Sequence, residues 1–300
     1  MKTEHYYHMF ANGDDAKNFI TSEREFKAAF NRVGLCAFIT GVIVVAFSIE
    51  DSHPHILLWG TYEDCLKFKM LYESMSIRCI ARRRGSADGV VLHCELYEVT
   101  DESYLKNVAT YTIVQATKDG KAVMPYDYLY GTGALYFRNE FSVLPWLIDN
   151  FGKVTEPVKF GSLKDKEKSE YCWSKTYVPD EWLVCNGFIL PTNYVDIRRF
   201  ESIYRTHNCF RAFLSSGKNS DAPIAAKMAE IRGVQIEDLE ARRICETVSF
   251  DLFSKRTARH LNTEERLQLA QTLRSRYHLA HRQLSFLTYI PESELRKYIR

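Results

Sequence analysis

No pair of cysteines in this 300-residue chain stands as CxxC. The eight, Cys36, Cys65, Cys79, Cys94, Cys172, Cys185, Cys209 and Cys245, are scattered too widely for a zinc ribbon or a compact disulfide framework. Reduced thiols are the simplest reading. No apolar stretch is long enough to span a bilayer, which takes about 20 residues. The longest, Phe38–Ile49, is interrupted by Thr40 and Gly41. The opening MKTEHYYHMF has no apolar signal-peptide core, so a soluble cytoplasmic protein without a membrane partner is expected. Neither charge is in excess: 40 Lys and Arg face 38 Asp and Glu, which excludes a histone-like polycation but leaves room for a local basic patch. There is no internal repeat and no low-complexity tract. What is present is globular composition, 46% hydrophobic and 26% charged, at a length suited to one large domain or two ordinary ones.

The first 120 residues alternate strand and helix signals. Tyr6–Phe10 reads as a short strand, and Ser22 with Glu25 as a capping box opening a helix to about Arg32. Gly41–Ile49 is a β-branched run of buried-strand character, and His53–Trp59 is a second strand, so the two read as an antiparallel hairpin. A helix from about Thr61 to Ala81 follows, ending in Arg82-Arg83-Arg84-Gly85. Val90–Val99 reads as a further strand, and Asp101 as the N-cap of a helix ending at Asp119-Gly120. The order β-α-β-β-α-β-α predicts an α+β fold, a ferredoxin-like antiparallel sheet with helices on one face. Residues 1–137 form that domain, 138–220 read as a connecting region, and 221–300 as an all-α C-terminal domain. The tyrosines between Tyr126 and Tyr136 suit either stacking on unpaired bases or packing between domains.

The C-terminal helices carry a nucleic-acid signal. Asn262 and Glu265 form a second capping box, Ala280–Leu287 reads as a helix, and Pro291 opens another to Ile299. Leu279, Leu284, Leu287, Ile290 and Leu295 suit a helix-turn-helix core, with Arg296 and Lys297 turned toward a duplex groove. Residues 251–300 hold ten basic and five acidic side chains, a net of +5 in a chain of +2. An ordinary helical hairpin with a basic face fits the same residues. Arg82, Arg83 and Arg84 suit a phosphate backbone, or equally a solvated helix end favoured by the macrodipole.

Chemistry is suggested by His53-Pro54-His55. Residues i and i+2 on a strand project to one face, so the two imidazoles could share one metal ion. Pro54 lacks an N–H and predicts an edge or an interruption of pairing there. On the helix after Asp101, Tyr111 and Gln115 are four apart and share a face. Taken separately, each pair also fits ordinary packing.

Together and in this order, these pieces resemble the single-tyrosine HUH transposases, in particular the REP-associated tyrosine transposase group. The resemblance spans roughly residues 5–135: Tyr7–Gly13 resembles the opening strand and turn, Ala46–Leu58 the strand pair with the histidine motif, and Tyr104–Gln115 the nucleophile helix. It implies that Tyr111 is the catalytic nucleophile, with Tyr104 as its rival, and that His53, His55 and Gln115 hold a divalent metal ion, Mg²⁺ or Mn²⁺. It further implies cleavage and rejoining of single-stranded or hairpin DNA through a 5′-phosphotyrosine, by a nucleoid-associated transposase whose C-terminal helices bind the duplex stem. Homodimerisation stays open. The competing class is a domesticated, non-catalytic, sequence-specific DNA-binding protein.

Overall fold

The computed structural model describes residues 3–11, 16–118, 120–138, 143–216, 238–277 and 279–299. The chain divides into two units, 1–220 and 221–300. No helix among the described residues is long and apolar enough to cross a membrane.

The first unit is built on a four-stranded sheet from β1 (His5–Phe10), β3 (Ile43–Ile49), β4 (Pro54–Gly60) and β6 (Glu95–Val99). The spatial order is β3-β4-β1-β6 and every pairing is antiparallel. A two-stranded ribbon of β2 (Ala16–Lys17) and β5 (Val91–Leu92) stands beside it, so the run Val90–Val99, expected as one strand, is two. Between the strands lie α1 (Glu23–Thr40), α2 (Tyr62–Arg84) and, after β6, α3 (Glu102–Lys118). The caps explain the boundaries. Thr61 Oγ1 accepts from Asp64 N–H at 3.2 Å, Asp101 Oδ1 from Tyr104 N–H at 2.7 Å, and Gly41 and Gly85 end their helices with φ of +71° and +80°. The capping box expected at Ser22 is only half formed. Ser22 Oγ accepts from Glu25 N–H, but the Glu25 carboxylate takes Thr21 N–H at 2.8 Å instead of closing on Ser22.

The sheet is covered on both faces, which corrects the expectation of helices on one face only. Phe30 of α1 packs edge-on to Phe47 of β3, and Phe47 pairs with Ile56. Helix α3 lies across the opposite face, against His55. The reason is in the strands: nearly every residue of β3 and β4 is buried, so neither face can be left to water. Pro54 is likewise not on an edge strand. It is the first residue of β4, which lies between β3 and β1, and at a strand start the missing N–H is tolerated.

Residues 143–216 share this core rather than forming a connector. They carry a small sheet of β7 (Val158–Lys159), β8 (Leu183–Cys185) and β9 (Phe188–Ile189), with helices α4 (Asp165–Cys172), α5 (Ile197–Tyr204) and α6 (His207–Ser216). Trp146, Phe160, Phe188 and Phe200 are fully buried, and Phe30 touches both Trp146 and Phe188. The tyrosine cluster seals the outer edge of β3. Ile49 N–H donates to Tyr130 O at 2.9 Å, Tyr128 Oη donates to Ile49 O at 2.6 Å, and Tyr136 Oη to Val45 O at 2.7 Å. Tyr128 and Tyr136 are buried there, so packing within this unit accounts for them and base stacking does not. Gly34 of α1 lies under Tyr194, and a Cβ would meet the ring at 2.6 Å. Gly34→Ala is therefore expected to destabilise the unit by about 1–3 kcal/mol in urea unfolding, because the ring, stacked against Phe47 and Trp182, must shift.

In the second unit the described residues form α7 (Asp238–Phe253), α8 (Thr263–Tyr277), α9 (His281–Thr288) and α10 (Glu292–Tyr298). Leu279, Leu284, Leu287, Ile290 and Leu295 are all buried together with Leu269 and Leu273. The Asn262–Glu265 capping box is closed by two bonds of 2.9 Å. By composition Ser215–Asp221 reads as a linker and Pro223–Arg232 as a helix, and these fall mostly or wholly outside the described residues. None of the eight cysteines is in a disulfide, and all but Cys209 are buried.

Candidate active site

The sheet register assembles the site. His55 pairs with Phe10 on one side and Ser48 on the other, while His8 lies two residues before Phe10. Cross-strand partners share a face, so His8, Phe10, Ser48 and His55 all project toward α3. His53 precedes β4 by one residue and keeps the strand's alternation, its ring centroid 4.8 Å from that of His55. Tyr111 and Gln115 come down from α3 onto the same spot. The Tyr111 ring stands edge-on to His55 at 5.2 Å, and Gln115 Nε2 is 3.1 Å from His55 Nε2. All four residues expected from the sequence thus meet.

Each imidazole is held through Nδ1. Ser52 Oγ is 2.6 Å from His53 Nδ1, and His8 Nε2 is 3.2 Å from His55 Nδ1. A shared cation would therefore be taken through the two Nε2 atoms, with the Gln115 amide turned to offer its oxygen. Such anchoring of the second ring nitrogen is how ligating histidines are oriented, so the residues fit a divalent ion. No group of three or more His, Cys, Asp or Glu side chains among the described residues is arranged to hold a metal, so the amide is needed as the third donor. His8, His55 and Gln115 are buried, whereas His53 and Tyr111 are half-buried and form the open side.

Two cations border this ground. Lys118, two turns along α3 from Tyr111, puts Nζ 4.6 Å from the phenol ring centroid. Lys121 bridges Glu50 at 2.8 Å and Asp51 at 2.7 Å, and Ser48 Oγ donates to the buried Glu50 at 2.7 Å. The Lys121 bond holds the Asp51 carboxyl below its ordinary range. This bracing ties the end of α3 to the turn that carries His53. The rival Tyr104 is less suited to attack. Its hydroxyl is buried without a hydrogen-bond partner among the described residues, and burial, with Tyr97 and Tyr111 beside it, pushes the phenol well above its usual range.

His8 and Lys118 are the residues that sequence reasoning missed. His8 alternates with Phe10 on a short strand, and only the pairing of β1 with β4 gives that alternation meaning. Lys118 lies seven residues after Tyr111, a spacing that keeps a helix face and was legible in principle.

The arginine run does not act as one unit. Arg84 makes a two-point bond to Glu25 at 2.8 and 2.7 Å and donates to Asn18 O at 2.8 Å, which commits it to the start of α1. Arg83 stacks over Trp173 at 4.4 Å, and Arg82 is exposed. A phosphate-tracking role for the whole run is thereby corrected: burial of Glu25 requires a partner charge, and Arg84 supplies it. Lys297 is exposed on α10, whereas the Arg296 side chain is outside the described residues. Comparison with protein-family models, curated proteins and solved structures finds no match.

Proposed function

We propose that this chain is a metal-dependent enzyme that cleaves and rejoins single-stranded DNA through a tyrosine nucleophile, acting on hairpin or repeat ends. The observation that carries the reading is the Tyr111 ring set edge-on to His55 at 5.2 Å with Gln115 bonded to the same imidazole. The strand order β3-β4-β1-β6 with α1 and α2 as its connections supports a ferredoxin-like reading of this α+β unit, and with it the resemblance to HUH transposases. The second unit, read as an all-α domain, offers α9 and α10 as a helix-turn-helix for a duplex stem, with Lys297 facing DNA. A nucleoid location follows from that role.

In the proposed step, Tyr111 Oη attacks the scissile phosphorus. The Oη–P bond forms, the P–O3′ bond breaks, the phenolic proton is released and the departing 3′-oxygen takes one up. The strand is left as a 5′-phosphotyrosine and a free 3′-hydroxyl, and attack by a second 3′-hydroxyl reverses the exchange without ATP. A divalent cation, Mn²⁺ or Mg²⁺, held by His53, His55 and Gln115 would neutralise charge on the phosphate. Lys118 Nζ, 4.6 Å from the Tyr111 ring centroid, would offset negative charge developing on the phenol, and Lys118→Gln is expected to slow adduct formation by ~10²-fold, as read in single-turnover assays.

The test is incubation of the full chain with labelled hairpin oligonucleotides and Mn²⁺, followed by denaturing gels. A metal-dependent covalent protein–DNA adduct is expected. The burial of His55 and Gln115 favours a second reading, a non-catalytic DNA-binding protein in which this polar cluster only packs. Salt-sensitive binding with no adduct under any metal, from folded protein, would establish that reading instead.

A further inference from the structure

His8 lies outside the His53-Pro54-His55 motif, yet it is fully buried beside it, with its ring stacked on that of His55 at 5.4 Å and tilted by 20°. The contact between them, His8 Nε2 to His55 Nδ1 at 3.2 Å, needs one nitrogen to donate and the other to accept. Which way it runs follows from the far side of the His55 ring. There Gln115 Nε2 is 3.1 Å from His55 Nε2, and with the amide in this orientation it donates and the ring Nε2 accepts. A neutral imidazole carries a single N–H. In His55 it is then on Nδ1 and donates to His8 Nε2.

We propose that His8 is a positioning residue that holds His55 in the Nδ1–H tautomer, keeping the Nε2 lone pair directed at Gln115 and able to bind a divalent cation. The cation half of this rests on the proposed metal site; the direction of the hydrogen bond does not. The reverse arrangement satisfies the same three side chains: His8 donates, His55 carries its hydrogen on Nε2, and Gln115 turns to accept it through Oε1. In that state Nε2 has no lone pair for a metal. The acceptor at His8 therefore decides between a ligating ring and one sealed into a hydrogen bond. His8 is held in a fixed position for this contact. It sits mid-strand in β1, paired to β4 on one side and β6 on the other, with Phe10 at 4.7 Å and Tyr111 at 6.3 Å around its ring.

The experiment uses the full chain labelled with ¹⁵N and free of metal. Long-range ¹H–¹⁵N correlation spectra distinguish the two imidazole tautomers, and a His55→Gln spectrum assigns the signals. Wild-type His55 is expected as Nδ1–H. His8→Phe keeps a ring of similar size but offers no acceptor, so His55 is expected to convert to Nε2–H. Mn²⁺ binding, followed by titration calorimetry, is expected to weaken about 10–100-fold in that variant. His8→Gln supplies a carbonyl acceptor and is expected to restore the tautomer and most of the affinity. An Nε2–H tautomer in the wild-type protein overturns the inference without any variant having to fold. So does a folded His8→Phe protein that keeps both the tautomer and the affinity. An Nδ1–H ring in wild-type protein that takes up no Mn²⁺ supports the hydrogen-bond direction and overturns the metal site.

Discussion

Replacing Tyr111 by phenylalanine is expected to remove the covalent protein–DNA adduct altogether, with strand cleavage falling by a factor on the order of 10⁶, the scale seen when a nucleophile is deleted. The ring would stay, because phenylalanine keeps the edge-on contact with His55 and the Lys118 ammonium over its face. Binding of the oligonucleotide should therefore persist while chemistry is lost. Tyr104→Phe is the control. Its hydroxyl is buried and unpaired among the described residues, so its removal should leave the adduct yield within about twofold and stability unchanged or slightly higher, since an unsatisfied polar group is removed. An adduct that survives Tyr111→Phe and disappears with Tyr104→Phe would move the nucleophile to the earlier position. Denaturing gels on both variants, with binding measured in parallel, decide between the two.

The second large effect concerns stability and acid. Burial pushes the Glu25 carboxyl upward, but the Arg84 guanidinium and the Thr21 N–H and hydroxyl more than offset it and hold the group at about 2 against an ordinary 4.5. At about 1.4 kcal/mol per tenfold, that depression corresponds to about 3 kcal/mol of folding stability. The folded value is the lower one, so the contribution is complete above about pH 4.5 and is lost as the pH falls toward 2. Glu25→Gln is expected to lower unfolding free energy near neutral pH by about 3 kcal/mol, and to flatten the acid limb of the stability curve by the same amount. Urea unfolding at pH 7 and at pH 3 measures both. Equal acid sensitivity in the two proteins would mean that the bond between α2 and α1 contributes little.

The two helix-borne site residues and the two histidines at the start of β4 were legible because their spacing alone puts them on common faces: Tyr111 and Gln115 four apart, His53 and His55 two apart. The alternation of strands and helices was legible for the same reason, since periods of two and of three to four are local. The C-terminal leucines were found by the same pattern and are buried together. Arg84 illustrates the limit. Its place in a run of three arginines reads as surface charge, and only the distant Glu25, 59 residues earlier, turns it into a structural tie. The tyrosines from Tyr128 to Tyr136 mislead in the same way, because an aromatic cluster reads as a binding surface until the open edge of β3 is seen to need partners.

Local patterning determined most strands and helices of residues 1–120 and the C-terminal helices, and which side chains share a face within each, but not the elements of 143–216. It could not determine that β1 lies between β4 and β6, that α3 covers the face opposite α1, or that His8 meets His55 across 47 residues of chain. Those relations depend on strand pairing between distant segments and on which apolar faces close over one another. Neither leaves a periodic trace in the sequence, because the partners are chosen by the free energy of the whole packed core.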